Sequence, residues 1–181
     1  MPDRFISEPL EMPPRARDAD FVRADLQFHG VDHAGVSYEA RIFLNRPDAD
    51  LSTPLATDND GGYAGSFHVF GHGGCFGDVG HCEVPSGPRS PYDKRLPHPL
   101  TPHTKSIIVT DALRRLRDHG DATTFTVTVV AAIYDTSGLP LGRDVAEPLL
   151  FDSISLVTYD TPPALPPTSA GEAERPAPEP E

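Results

Sequence analysis

No stretch of the sequence approaches the ~20 consecutive apolar residues of a membrane-spanning helix. The first residues, Met1-Pro-Asp-Arg-Phe-Ile-Ser-Glu-Pro, lack the apolar core of a secretory leader. A soluble, cytoplasmic protein is therefore expected, without a membrane partner. Basic clusters are also missing: 15 Lys and Arg stand against 27 Asp and Glu, a net charge of -12, and no run could track a phosphate backbone. Nucleic acid is thus not an expected partner. Cysteine is scarce, with 2 in the chain, too few for a disulfide scaffold. The fold must rest mainly on apolar burial, with room for one bridge. There is no internal repeat and no alternation of strands with long helices, so a parallel sheet is not expected either.

What is present suits one domain. A chain of 181 residues with a hydrophobic fraction of 38% can bury one core. Residues 1–20 carry Pro2, Pro9, Pro13 and Pro14 among charges and read as a flexible arm. From 22 to 28 the chain alternates, with Val22, Ala24, Leu26 and Phe28 on one face. Residues 36–44 repeat the pattern through Tyr38, Ala40, Ile42 and Leu44, before turn chemistry at Asn45-Arg-Pro-Asp. A third strand is expected at 66–70 and a fourth at 105–109. Thr110 is then positioned to N-cap a short helix over 111–119, closed by Gly120. The clearest strand is 123–134, with Phe125, Val127, Val129, Ala131 and Ile133 on one face, and a last strand falls within 149–159. Residues 160–181, rich in Pro and Glu, cannot bury enough apolar surface to order themselves. The resulting expectation is an all-β, antiparallel β-sandwich or jelly roll over 21–159, with one short helix and disordered ends. Its core should include Leu26, Phe28, Ile42, Leu44, Phe67, Val69, Leu113, Leu116, Phe125, Val127 and Val129.

Chemistry-bearing residues gather in the Gly/Pro-rich segment 72–103. Cys75, Cys82, His68, His72 and His81 lie within fifteen residues of one another, and thiolate with imidazole is a ligand set for zinc or for reduced copper. The spacing is not that of a zinc knuckle, so a Cys75–Cys82 bridge and plain loop packing stay open beside the metal reading. His29 and His33 have the spacing of a helical metal pair, but Gly30 and the period-two pattern put them at a strand end and turn, as exposed histidines on a polar face. No Gly-x-Ser-x-Gly elbow, phosphate-cradling loop or carboxylate pair in a recognisable setting points to an intrinsic enzyme.

Five ordered segments carry a family resemblance. Ala24-Asp-Leu-Gln-Phe-His-Gly-Val-Asp-His, Tyr38-Glu-Ala-Arg-Ile-Phe-Leu-Asn, Tyr63-Ala-Gly-Ser-Phe-His-Val-Phe-Gly, Lys105-Ser-Ile-Ile-Val-Thr-Asp-Ala-Leu-Arg-Arg-Leu and Thr124-Phe-Thr-Val-Thr-Val-Val are found in this order. Together they resemble the C-terminal β-sandwich domain of the tyrosinase, polyphenol oxidase and haemocyanin (type 3 copper) family. In that family, histidine triplets on a helix bundle hold the coppers, while the sandwich packs over the site and can insert an apolar side chain. The resemblance implies the accessory domain without the dicopper domain, hence no catalytic residue and no enzyme. It further implies docking on, or shielding of, a separately encoded tyrosinase-like copper protein. The family's plug positions differ between its branches and give no residue here; the candidate docking side chain is Phe76, chosen for its place between Cys75 and Gly77 on the glycine loop. The alternative is a stand-alone metal-binding or copper-delivery protein that uses Cys75, His81 and Cys82, with copper or zinc as its ion.

Because the tail has little to bury, deleting the residues after Thr161 should leave the thermal midpoint unchanged. A fall of several degrees in a calorimetric scan would show that the tail packs on the domain.

Overall fold

The computed structural model describes residues 4–18, 21–56, 62–72, 81–84, 86–88, 91–92, 99–119, 123–133 and 148–161. Their strands are β1 (Arg4–Ile6), β2 (Leu10–Glu11), β3 (Arg23–Val31), β4 (Tyr38–Leu44), β5 (Tyr63–Val69), β6 (His103–Ile108), β7 (Thr124–Phe125), β8 (Val127–Ile133) and β9 (Ser153–Tyr159). Two helices, α1 (Pro14–Arg17) and α2 (Thr110–Asp118), complete them. Every pairing is antiparallel. One sheet has the order β1-β8-β4-β5, the other β6-β3-β9, and β2 pairs with β7 alone. This is an all-β sandwich, as the alternating pattern requires. No helix among the described residues is long and apolar enough to cross a membrane.

The period-two pattern decides which faces meet. Ala24, Leu26 and Phe28 of β3 point inward and are fully buried, as are Tyr38, Ala40 and Ile42 of β4 and Val127, Val129 and Ala131 of β8. Phe28 meets Phe67 of β5 at a ring-centroid distance of 5.0 Å, which joins the two sheets. Of the expected core residues, all are buried except Leu116, which is partly buried against the cluster. Strand β8 is covered on both faces, since Val130 turns outward into a small second cluster with Phe43 and Ala49.

Three local readings change. The segment expected to be an arm instead contributes β1 to β8, β2 to β7 and the turn of helix α1, with Met12 and Ala16 buried in the core. Its prolines do not prevent this because they avoid the hydrogen-bonded positions: Pro9 lies between β1 and β2, and Pro14 opens the helix where no amide donor is needed. Val22 is 47% exposed, since the strand begins one residue later, at Arg23. On the polar side of that strand, Asp25 is buried and takes a forked bond from Arg23 at 2.7 and 2.9 Å. Thr110 does not cap α2. It is the first helical residue, and its hydroxyl accepts from the Ala24 amide at 3.0 Å, closing the start of β3 instead. Gly120 and residues 162–181 lie outside the described residues.

Gly30 accommodates the irregularity where β3 shifts register against β6, between Phe28 and Val31. Its φ is 69°, and an added Cβ would lie 2.1 Å from the Asp152 carboxylate. Gly30→Ala should therefore destabilise the domain by about 1–3 kcal/mol, combining left-handed backbone strain with the clash. In urea unfolding, adding Asp152→Ala should recover the clash part only, so that the double variant is more stable than the sum of the single changes predicts.

Tyr38 is 1% exposed, and its hydroxyl finds no hydrogen-bond partner among the described residues. Burial, and after it the charge of Asp32, push its pKa up to about 12. In the unfolded chain the phenol ionises near 10, so between these values only the unfolded state loses the proton, and stability falls as pH rises. At ~1.4 kcal/mol per tenfold, about 3 kcal/mol is lost across that window. Tyr38→Phe should remove this loss while changing stability at neutral pH by less than about 1 kcal/mol, because the deleted hydroxyl is unpaired. Urea unfolding of both proteins at neutral pH and near the upper end of the window measures the difference.

Candidate functional site

Three histidines from separate parts of the sequence meet at one end of the sandwich. His33 lies just beyond β3, His72 just beyond β5, and His103 begins β6 opposite Val31. The His33 and His103 rings are stacked, 4.2 Å between centroids at 18°, and His72 tilts against His33 at 5.2 Å and 47°.

Main-chain contacts hold the three in place. The carboxylate of Asp32 accepts from the Ala34 amide at 2.8 Å and turns the chain directly after β3. The His33 carbonyl then accepts the His72 amide at 3.0 Å, and the His72 Nδ1 lies 3.4 Å from the same oxygen. Gly71 makes that approach possible: a Cβ there would sit 2.3 Å from the Gly35 carbonyl oxygen and from the Val36 carbonyl carbon, both main-chain atoms that cannot swing aside. Its amide donates to the Ser37 hydroxyl at 3.0 Å.

The electrostatics follow from crowding. His33 is 7% exposed, and its Nδ1 is buried with no hydrogen-bond partner among the described residues. Burial lowers its pKa below the ordinary imidazole value, His103 and His72 add to the effect, Asp32 opposes it, and Lys105 lowers it slightly further. His33 is accordingly a neutral ring at neutral pH, with one nitrogen carrying a lone pair.

The residues singled out from the sequence fall in different places. His72 joins the cluster. His68 occupies an exposed position on β5 between buried Phe67 and Val69, so strand alternation turns it to the opposite face. His81 and Cys82 begin a short bend, where the Cys82 carbonyl accepts the Leu100 amide at 3.0 Å. Cys82 is disulfide-bonded, and no free cysteine occurs among the described residues. In this oxidised state its sulfur is not a thiolate ligand. Cys75 and Phe76 lie outside the described residues. The expectation of an exposed His33 is corrected, because the turn at Asp32 folds it back under the two other rings. His29, four residues earlier, remains on the strand and bonds Ser155 Oγ at 2.9 Å. Among the described residues, no group of three or more His, Cys, Asp or Glu side chains is placed to hold a metal ion. His33 and His103 escape a reading of spacing because 70 positions separate them in sequence; their shared position at neighbouring strand ends is the only signal.

No protein-family model matches the chain, and no curated protein does. Among solved structures it is similar to a latent aurone synthase, a polyphenol oxidase, in two forms. The recombinantly expressed form is 16% identical with a TM-score of 0.43. The form from the natural source is 18% identical with a TM-score of 0.46. Each match covers 86% of this chain and 24% of the other, so the chain spans about a quarter of the length of the solved structures it matches.

Proposed function

We propose that this chain is a non-catalytic β-sandwich domain that docks on a separately encoded tyrosinase-like copper protein and shields its site or aids its assembly. The observation that carries this reading is the order in which the five family-like segments fall on the fold. They coincide in turn with β3, β4, β5, the β6–α2 unit and the β7–β8 pair, which together build the antiparallel sandwich implied by the resemblance. No residue of this chain is assigned a catalytic role.

The docking surface in this reading is the glycine-rich segment 71–85, with Phe76 as its aromatic anchor. Phe70, at the entry to that segment, is 79% exposed, so an apolar ring already stands in water there. The acidic surface of the chain, at -12 overall, favours a partner face that is not itself acidic. A disulfide at Cys82 persists most readily in an oxidising compartment, which weighs against the cytoplasmic expectation.

The test is reconstitution. Purified chain mixed with a tyrosinase-like copper protein from the same source should change the rate of diphenol oxidation or the copper content of that partner. Phe76→Ala should weaken this effect while leaving the thermal midpoint in place. No change in rate or copper content at saturating chain overturns the proposal. If Phe76→Ala instead costs the ~3–5 kcal/mol of a buried Phe, that side chain is core and the anchor is elsewhere.

A further inference from the structure

The geometry points to a proton-sensitive clasp at the histidine end of the sandwich: gain of a proton by His33 releases the turn after β3 from the end of β5, so that mild acid opens this end of the fold. The clasp is a property of the chain alone and does not depend on docking.

Three main-chain amides hold the segment after β3 to the end of β5. The His72 amide donates to the His33 carbonyl at 3.0 Å. The Gly71 amide donates to the Ser37 hydroxyl at 3.0 Å, and the Ala34 amide closes the turn on the Asp32 carboxylate at 2.8 Å. The ring of His33 is packed into this junction, stacked on His103 and tilted against His72. Ring and carbonyl belong to one residue. The ring therefore gains full hydration only if the turn moves, and that movement takes the carbonyl away from the His72 amide.

A neutral imidazole fits this place and an imidazolium does not. A charged ring carries a donor on both nitrogens, yet Nδ1 is buried without a hydrogen-bond partner among the described residues. Burial opposes a proton on the ring most strongly. Of the charged groups that face it, His103 at the start of β6 and His72 after β5 also oppose the proton, Asp32 at the turn favours it, and Lys105 on β6 opposes it slightly. The closed clasp thus holds His33 below the ordinary imidazole range, whereas a ring swung out into water titrates near ~6.5. The open form takes the proton first. Opening grows as pH falls below that value, by at most about tenfold per pH unit for one proton, and levels off once the closed form is protonated too.

Amide hydrogen exchange of the full chain, followed by NMR from about pH 7.5 to about pH 5 and corrected for the intrinsic pH dependence of exchange, reads the clasp at the His72 amide. Protection there should be constant above about pH 6.5 and fall below it by up to about tenfold per unit. It should also stay lower than that of amides in the middle of β4 at every pH, as local opening requires. His33→Phe keeps a flat ring that cannot charge, and should abolish the pH dependence. His103→Gln changes an exposed side chain and should shrink the fall, because it removes one opposing charge. In the unsubstituted chain the ring resonances of His33 should titrate with a midpoint below ~6.5. The clasp is overturned if protection of the His72 amide does not change across this range, or if its fall persists in folded His33→Phe. Should that variant fail to fold, the ring titration decides, and a midpoint at or above the ordinary value overturns the proposal. None of these outcomes bears on the mixing experiment, so the two proposals fail separately.

Discussion

Everything in this domain depends on the contact between its two sheets, and that contact centres on Phe28. A β-sheet with one apolar face is stable only when that face is covered. The ring of Phe28 on β3 meets Phe67 at 5.0 Å and Phe151 at 5.6 Å, and Phe151 in turn meets Phe5 of β1 at 4.8 Å. Four aromatic rings thus run from β5 across to β3 and back to β1, the opposite edge of the four-stranded sheet. Around them lie small and branched side chains, Ala24, Ala40, Val127 and Ala131, whose short reach lets the sheets approach. Helix α2 is subordinate to this arrangement. It buries Ala112 and Leu113, while Arg115 donates to the Tyr63 carbonyl at 3.2 Å and Arg114 reaches the Phe21 carbonyl at 3.3 Å.

A sandwich held in this way fixes strand ends as firmly as strand centres, and the histidine cluster is a product of strand ends. Strands β3 and β6 are paired neighbours in one sheet, while β5 lies at the edge of the other, against β6 across the core. Whatever follows β3, follows β5 or opens β6 is therefore gathered at the same end of the molecule. Gly71 and the turn at Asp32 convert that proximity into ring contact. The glycine-rich segment sets out from this same end, at Gly71 and His72.

The strands were legible in the sequence because burial on one face forces a period of two, visible in β3, β4 and β8 without any knowledge of their partners. What could not be read was anything set by pairing. The proline-rich start looks incapable of ordered structure, yet β1 and β2 are strands of three and two residues whose stability comes from β8 and β7, far along the chain. Thr110 has the composition of a helix cap, but a distant amide, that of Ala24, claims its hydroxyl. Candidate metal ligands were sought where they crowd in sequence, around Cys75 and Cys82. The imidazoles that do meet in space are separated by loops, and only His72 belongs to both groups.

An unpaired buried polar atom does not by itself mark a site. Thr128 Oγ1, Tyr38 Oη and an Arg117 nitrogen are also without partners among the described residues. Thr128 lies within a sheet, opposite Ile6 and Phe43, where its methyl group fits a β-strand and the hydroxyl is carried along with it. His33 differs in its setting, since the ring that carries its unpaired nitrogen is stacked on His103 and tilted against His72.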